Sequence, residues 1–245
     1  MMSEGVLYIS TGMKYVKAAI RSARTVNKFC PELPIHLFTD PLCYDHFDFK
    51  NSLCPFTTVE IIENPHRRSK VDYISQSPYE FTLYMDSDTA LAADITGLFK
   101  LLERFDIALA HAQRRNTHAN LSPWRIELPE AFPQMNGGII LYRNTPGVKK
   151  LLLDWSQSFS ELGSKRDQIT LRELLWLSDL RIATLPPEYN IRFLKYPLMW
   201  SKSEAQPKIY HLKQFHHGWF YWVNKNNLLG KIGRRIIPKK WIDPD

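Results

Sequence analysis

The stretch that decides the fold is Phe81-Thr82-Leu83-Tyr84-Met85-Asp86-Ser87-Asp88, residues 81–88. Its first five residues are apolar or β-prone and read as one buried strand. The strand ends in two carboxylates separated by a serine. In an open α/β sheet, ligands bind beyond the carboxyl ends of the strands. Two acids one residue apart, on backbone that is leaving a strand, can converge on one point. There they supply hard oxygen ligands for Mg²⁺ or Mn²⁺, and such an ion can hold a diphosphate. The same eight residues are equally compatible with a polar turn in which Asp88 caps the next segment, so the decision rests on what surrounds them.

Upstream, Gly5–Ser10 (GVLYIS) predicts a first buried strand, with Thr11-Gly12 as the turn after it. Val16, Ala19, Ile20 and Ala23 then recur at helical spacing, with Lys14, Lys17, Arg21 and Arg24 on the outer face. Ile35–Thr39 predicts a second strand, closed by Asp40-Pro41, and Val59–Glu63 a third. A basic loop, His66-Arg67-Arg68-Ser69-Lys70, leads into a short helix and the acidic strand. Strand and helix thus alternate over the first 90 residues, which predicts a mostly parallel sheet.

Downstream, Ile95, Leu98, Phe99 and Leu102 predict a helix capped by Asp94. Asp106–Ala110 predicts a strand. Residues 112–135 carry Pro123, Pro129 and Pro133 without sustained periodicity and read as a long loop, the kind that serves as a lid or binding segment. Asn136-Gly137-Gly138 reads as a turn before a strand at Ile139–Tyr142. Thr145-Pro146 opens a helix, Asp167-Gln168 opens another that runs to about Leu177, and strands follow at Arg181–Leu185 and Lys208–Leu212. With no internal repeat and no linker-like stretch, the chain reads as one domain, residues 1–217, with a tail at 218–245.

The chain has 245 residues, 44% of them hydrophobic and 23% charged, the composition of a soluble globular protein long enough for a sizeable core. A formal charge of +7 admits nucleic acid, anionic membrane or phosphorylated small molecules as partners. Cys30, Cys43 and Cys54 are odd in number and form no CxxC pair, so neither a disulfide framework nor a cysteine-rich zinc site is indicated. The N-terminus lacks the pattern of a signal peptide, and no apolar run approaches the roughly 20 residues of a membrane span. A cytoplasmic location, peripheral to the membrane through the tail, is the expectation.

Several groups have the chemistry of a site, each with an ordinary alternative beside it. Asn136-Gly137-Gly138 lets backbone approach a ligand, or makes a tight turn. Asp167-Gln168 can grip sugar hydroxyls, or Asp167 can be a helix cap. Lys70, behind Arg67 and Arg68, can neutralise phosphate, or belong to a solvated basic loop. His211 on a short apolar strand is structural, or completes a mixed oxygen and nitrogen site with the two aspartates that suits Mn²⁺; His216 and His217 compete for that role. No GxGxxG follows the first strand, and neither a P-loop nor a GxSxG elbow is present, which removes support for dinucleotide folds, phosphate-loop NTPases and serine hydrolases.

Taken in order, these pieces resemble the family 8 glycosyltransferases and their GT-A-fold relatives, glycogenin and the bacterial lipopolysaccharide galactosyltransferases among them. LYISTGMKYVKAAIRSARTV is similar to the family's opening strand, turn and helix, which places Thr11 and Tyr15 at nucleotide-contacting positions. SKVDYISQSPYEFTLYMDSDT looks like the donor segment, with Lys70 as its lysine and Asp86-Ser87-Asp88 as its DxD motif. MNGGIILYR resembles the NGG segment, RDQITL the DQ segment and LPPEYN (185–190) a short motif before the last core strands. IYHL places His211 as third metal ligand. The family's HxxGxxK motif is matched only in part: Gln214 stands where its glycine falls, and the phosphate-contacting lysine is not in place.

The resemblance implies an α/β GT-A nucleotide-diphospho-sugar transferase fold with a mostly parallel mixed sheet flanked by helices. It implies a metal-dependent transfer, with Mn²⁺ or Mg²⁺, from a nucleotide-sugar such as a UDP-sugar to a glycan, lipid-linked or protein acceptor, with retention. Asp86, Asp88 and His211 would hold the metal; Lys70 would offset phosphate charge; Thr11, Tyr15, Ser87, Asn136, Gly137 and Gly138 would line the donor site; Asp167 and Gln168 would act at the sugar. A haloacid dehalogenase-like phosphatase also begins with a strand and DxD, but wants Thr or Val two residues after the second Asp, where Ala90 stands. An RNA- or anion-binding protein is the other alternative; cations interleaved with aromatics occur only at the C-terminus, and no nucleic acid is expected. That C-terminus, with Trp219, Phe220, Tyr221 and Trp222 ahead of Lys231, Arg234, Arg235, Lys239 and Lys240, is expected to contact anionic membrane, or else to pack as ordinary structure.

Overall fold

In the computed structural model, residues 3–115, 117–163, 166–201 and 203–217 are described. The tail at 218–245, and with it the expected membrane contact, lies outside the described residues. No helix of the described residues is long and apolar enough to cross a membrane.

The chain begins with strand β1 (Glu4–Ser10), helix α1 (Met13–Phe29), β2 (Ile35–Thr39), α2 (Pro41–His46), β3 (Thr58–Ile61), the short α3 (Lys70–Tyr73) and β4 (Phe81–Met85). It continues through β5 (Thr89–Leu91), a 3-10 helix at Thr96–Glu103, β6 (Ile107–His111), α4 (His118–Leu121) and β7 (Met135–Arg143). Helices α5 (Pro146–Leu162) and α6 (Gln168–Leu177), strand β8 (Ile182–Thr184), a 3-10 turn at Pro187–Tyr189, α7 (Lys195–Met199), β9 (Ile209–His211) and a 3-10 turn at Lys213–His217 complete it.

Seven strands form one sheet in the order β3-β2-β1-β4-β7-β6-β8. All are parallel except β7, which runs against both of its neighbours, β4 and β6. The expected mostly parallel mixed sheet is therefore present. β4 is buried along its whole length because helices cover both faces, the reason its sequence is continuously apolar rather than alternating. On one face Val16, Ala19 and Ala23 of α1 are buried as their spacing predicted, Ile20 is only partly buried, and Val26 joins them; on the other, α5 and α6 pack Leu151, Leu152, Trp155, Leu171 and Leu175.

Two local expectations are corrected and one strand is added. Residues 96–103 form a 3-10 helix, although Asp94 does serve its start: Asp94 Oδ1 accepts from the Thr96 N–H and Oγ1, both at 2.8 Å. Asn136-Gly137-Gly138 is not a turn but the beginning of β7. Residues 89–91, read only as the sequel to the acids, form β5, which pairs antiparallel with β9 in a separate two-stranded sheet, Thr89 opposite His211. β5 has only three residues, too few to show a period of their own directly after the acids.

Trp155 anchors the far side of this frame. It is fully buried, lies 3.5 Å from where a Cβ on Gly137 would stand, and donates from Nε1 to the Asp167 carbonyl at 2.7 Å. Truncating it removes a large buried volume together with a satisfied hydrogen bond. Trp155→Ala is expected to cost about 3–5 kcal/mol of stability, and Trp155→Phe clearly less. Urea unfolding of both variants measures this; equal, near-zero losses would mean that the indole does not hold the frame.

Candidate metal and donor site

The acids sit where β4 stops. Asp86 accepts at Oδ1 from the Tyr84 hydroxyl at 2.7 Å, and its own N–H donates to the Gly138 carbonyl at 2.7 Å. Behind the turn runs a chain of buried hydroxyls: Tyr8 Oη and Ser22 Oγ are 2.7 Å apart, Ser22 Oγ and Thr89 Oγ1 are 2.7 Å apart, and Thr89 Oγ1 donates to the Asp86 carbonyl at 2.8 Å. The turn is thereby tied to β1 and α1, so both carboxylates leave it in fixed directions.

His211 arrives from β9. Its Nε2 lies 3.1 Å from Asp88 Oδ1 and 3.6 Å from Asp86 Oδ2, and ligand atoms of the three residues all lie within 4.8 Å of one another. On the other side of the ring, Nδ1 is 2.8 Å from Asn190 Oδ1. An amide oxygen only accepts, so Nδ1 carries a proton, and Nε2 is the ring nitrogen that faces the carboxylates. His216 lies farther out: its Nε2 is 4.0 Å from Asp88 Oδ1 and 3.3 Å from Ser87 Oγ, and its ring meets Tyr15 edge-on with centroids 4.8 Å apart. His217 is 3.4 Å from Lys14 Nζ.

Lys70, at the start of α3, is buried with 7% of its side chain exposed. Its ammonium donates to the Gly137 carbonyl at 2.8 Å and to Asp86 Oδ1 at 3.2 Å, and pairs with Asp167 Oδ2 at 3.1 Å. Asp167 is also 3.8 Å from Arg68 and makes no side-chain cap on α6, so its role in the fold is ionic. Arg192, just beyond Asn190, stands 3.9 Å from Asp88. Burial alone would raise the carboxyl pKa of Asp86, but Lys70 foremost, then His211 and Tyr84, hold it far below the usual range. Asp88 is lowered as well: burial opposes, while His211 and Arg192 prevail over repulsion from Asp86. For Lys70, burial is outweighed by Asp167 and Asp86, and its pKa is raised. Both acids are therefore ionised and available as ligands.

Among the residues singled out in the sequence, Lys70, Asp86, Ser87, Asp88, Gly137, Gly138, Asp167 and His211 come together, with Asn136 beside them accepting at Oδ1 from the Gly138 N–H at 3.1 Å. Gln168 lies against Gly137, its Cγ 3.7 Å from where a Cβ would be. Thr11 and Tyr15 stand at the rim: Thr11 Oγ1 donates to the His66 carbonyl at 3.3 Å, and Tyr15 reaches the acids only by way of His216 and Ser87. Tyr84, Asn190 and Arg192 were not singled out as site residues. Tyr84 is hidden within an apolar run, Asn190 is 21 residues from the histidine it orients, and Arg192 carries no local signal.

The donor set suits Mn²⁺ or Mg²⁺, two carboxylates and one imidazole being a mixed hard and borderline set. The space is also kept open. A Cβ on Gly138 would lie 2.2 Å from His211 Cε1 and 2.5 Å from Asp86 Oδ2, so only glycine lets the two ligands face each other. Gly138→Ala is thus expected to weaken Mn²⁺ binding by more than about tenfold while the chain still folds, since the clash is with side chains that can turn away. Calorimetric titration with Mn²⁺, next to a melting curve, measures both; unchanged affinity would show that the cleft does not depend on this glycine.

Comparison with known proteins bears on the fold and the family. No curated protein matches the chain. Among solved structures, the galactosyltransferase LgtC, in complex with donor and acceptor sugar analogs, aligns with a TM-score of 0.60 at 11% identity, over 85% of this chain and 87% of that one. The glycosyltransferase GlyE of Streptococcus pneumoniae TIGR4 aligns with a TM-score of 0.58 at 17% identity, over 85% of this chain and 54% of that one, so this chain spans about half the length of GlyE. Mouse xyloside xylosyltransferase 1 gives a TM-score of 0.56 at 13% identity, covering 85% and 97%. At such identities the likeness is one of fold, and the fold is GT-A. The family model described as nucleotide-diphospho-sugar transferase matches residues 24–218, and the phosphatase alternative falls with that match. Most of the chain being covered, this protein belongs to the nucleotide-diphospho-sugar transferase family.

Proposed function

We infer that the protein is a metal-dependent glycosyltransferase, with residues 1–217 as its catalytic domain, that moves a sugar from a nucleotide-diphospho-sugar, a UDP-sugar in the first instance, to a carbohydrate or glycolipid acceptor. The observation that carries this reading is the convergence of Asp86, Asp88 and His211 on a cleft that the missing side chain of Gly138 keeps open. These three would hold Mn²⁺ or Mg²⁺. When bound, such an ion acts as a Lewis acid that stabilises the departing diphosphate.

The chain's own groups do the rest. Arg192, 3.9 Å from Asp88, supplies a cation next to the acids where the family's lysine is missing, and we assign it to the diphosphate. Thr11 and Tyr15 mark the nucleotide side, with His216 between Tyr15 and Ser87. The Gly137 backbone, Asn136 and Gln168 face the sugar. Asp167 is 2% exposed and committed to Lys70 and Arg68, so we give it the task of holding Lys70 and the start of α6 rather than that of a nucleophile. Retention is proposed from the family resemblance.

A donor screen that follows nucleoside diphosphate release with Mn²⁺ present tests the reading. Release should stop in chelator and return with added Mn²⁺, and Asp88→Asn should lower it by more than about a hundredfold without unfolding the protein. Full turnover in chelator would remove the metal role, and no turnover with any nucleotide-sugar would remove the transfer itself. A finer test is Asn190→Ala, which leaves all three ligands in place but frees the His211 ring. Mn²⁺ affinity should fall about 10–100-fold; unchanged affinity would mean that the Asn190 contact does not orient the ligand.

A further inference from the structure

The long segment between β6 and β7 is held by an unusual pair. Arg172 and Glu173 are adjacent on α6, and both are buried, with 3% exposure each. The Glu173 carboxylate accepts from three successive backbone amides: Trp124, Arg125 at 3.0 Å from each oxygen, and Ile126 at 3.2 Å. The Arg172 guanidinium donates to three backbone carbonyls of the same segment, Phe132 at 2.8 Å, Pro129 at 3.0 Å and Leu121 at 3.5 Å. One charge of each sign thus grips main chain only, so the grip is independent of which side chains the segment carries. Burying two ions is costly unless their hydrogen bonds are met, and here they are met by a segment with no sheet partner of its own.

The gripped segment belongs to the site at both roots. Before it, Gln113 Nε2 donates to the Asn190 carbonyl at 3.1 Å, and Asn190 orients His211. After it come buried Gln134 and then Asn136-Gly137-Gly138. The gripping helix itself starts at Gln168, beside Gly137. Thr11, Tyr15 and His216 occupy the flank toward β1, and both roots of this segment lie on the opposite flank, beyond β4.

We propose that Arg172 and Glu173 are positioning residues that fix residues 121–132 as the acceptor-side wall, and so set the affinity for the acceptor sugar but not for the donor. This deepens the sugar-transfer reading and rests on it for the acceptor's role. The full chain and its Glu173→Gln and Arg172→Gln variants are compared by amide hydrogen exchange and by kinetics. Exchange over residues 121–132 should accelerate at least about tenfold in each variant, with β4 and β7 unchanged. With UDP-glucose or UDP-galactose as donor and a panel of methyl glycosides as acceptor probes, acceptor KM should rise about tenfold or more, while donor KM and acceptor-free donor hydrolysis stay within about twofold. Unchanged exchange over 121–132, or donor KM rising as much as acceptor KM, overturns the proposal, as does a variant that loses protection in β4, since it reports a collapsed core. A wild type that turns over no nucleotide-sugar overturns the acceptor role together with the transfer reading, whereas the exchange data separate that failure from failure of the grip.

Discussion

A buried ammonium is what the centre of this molecule depends on. Three carboxylates, Asp86, Asp88 and Asp167, crowd the carboxyl end of β4 and the start of α6, and their mutual repulsion in a poorly solvated cleft would pull those elements apart. Lys70 meets two of them and the Gly137 carbonyl with one point charge, and Arg192 stands near the third. Removing one member of such a group leaves the others as uncompensated buried charge, a larger loss than the pair itself contributes. Lys70 therefore binds β4, β7, α3 and α6 into one unit, and the acids stay ionised for the same reason.

Rigidity around the acids has a different origin on each side. Toward α1 it comes from neutral hydroxyls, the Tyr8–Ser22–Thr89 chain ending on the Asp86 carbonyl. Toward β9 it comes from backbone: the Leu212 N–H donates to the Asp88 carbonyl at 2.8 Å, and the His211 N–H to Ile191 at 2.9 Å. A ligand set assembled from a turn and a distant strand keeps its geometry here because the turn is anchored to the frame and the strand to the turn.

Much of this was legible in the sequence, because the informative residues are unusual for their surroundings. Two aspartates at the end of an apolar run, a lysine ahead of it and a histidine on a late strand stand out against any core pattern, and their order fixed the fold class. What escaped reading was pairwise. Asn136-Gly137-Gly138 has the composition of a turn, and the reason for Gly138 lies in His211, 73 positions later. Tyr84 is composed like a core residue and acts through its hydroxyl. Asn190 and Arg192 owe their meaning to His211 and Asp88, partners far away in the chain. Glu173 and Arg172 interrupt the apolar face of α6 in a way that resembles solvent exposure until the segment they hold is in view.

The reversed direction of β7 has an effect of its own. In the parallel part of the sheet, the connection that follows a strand borders the cleft, and the strand's beginning lies on the far side. β7 starts at the cleft and runs away from it, so the connection preceding it is the one beside the acids, while the far end, Arg143, is 4.0 Å from Glu80 at the opposite edge. The cleft-side connection can change in length or composition without shifting the register of β4 against β7, since that register is set by residues 139–143 alone. Such an arrangement uncouples diversification from foldability: chemistry stays with the sheet, and selectivity can be rewritten in one contiguous piece of chain.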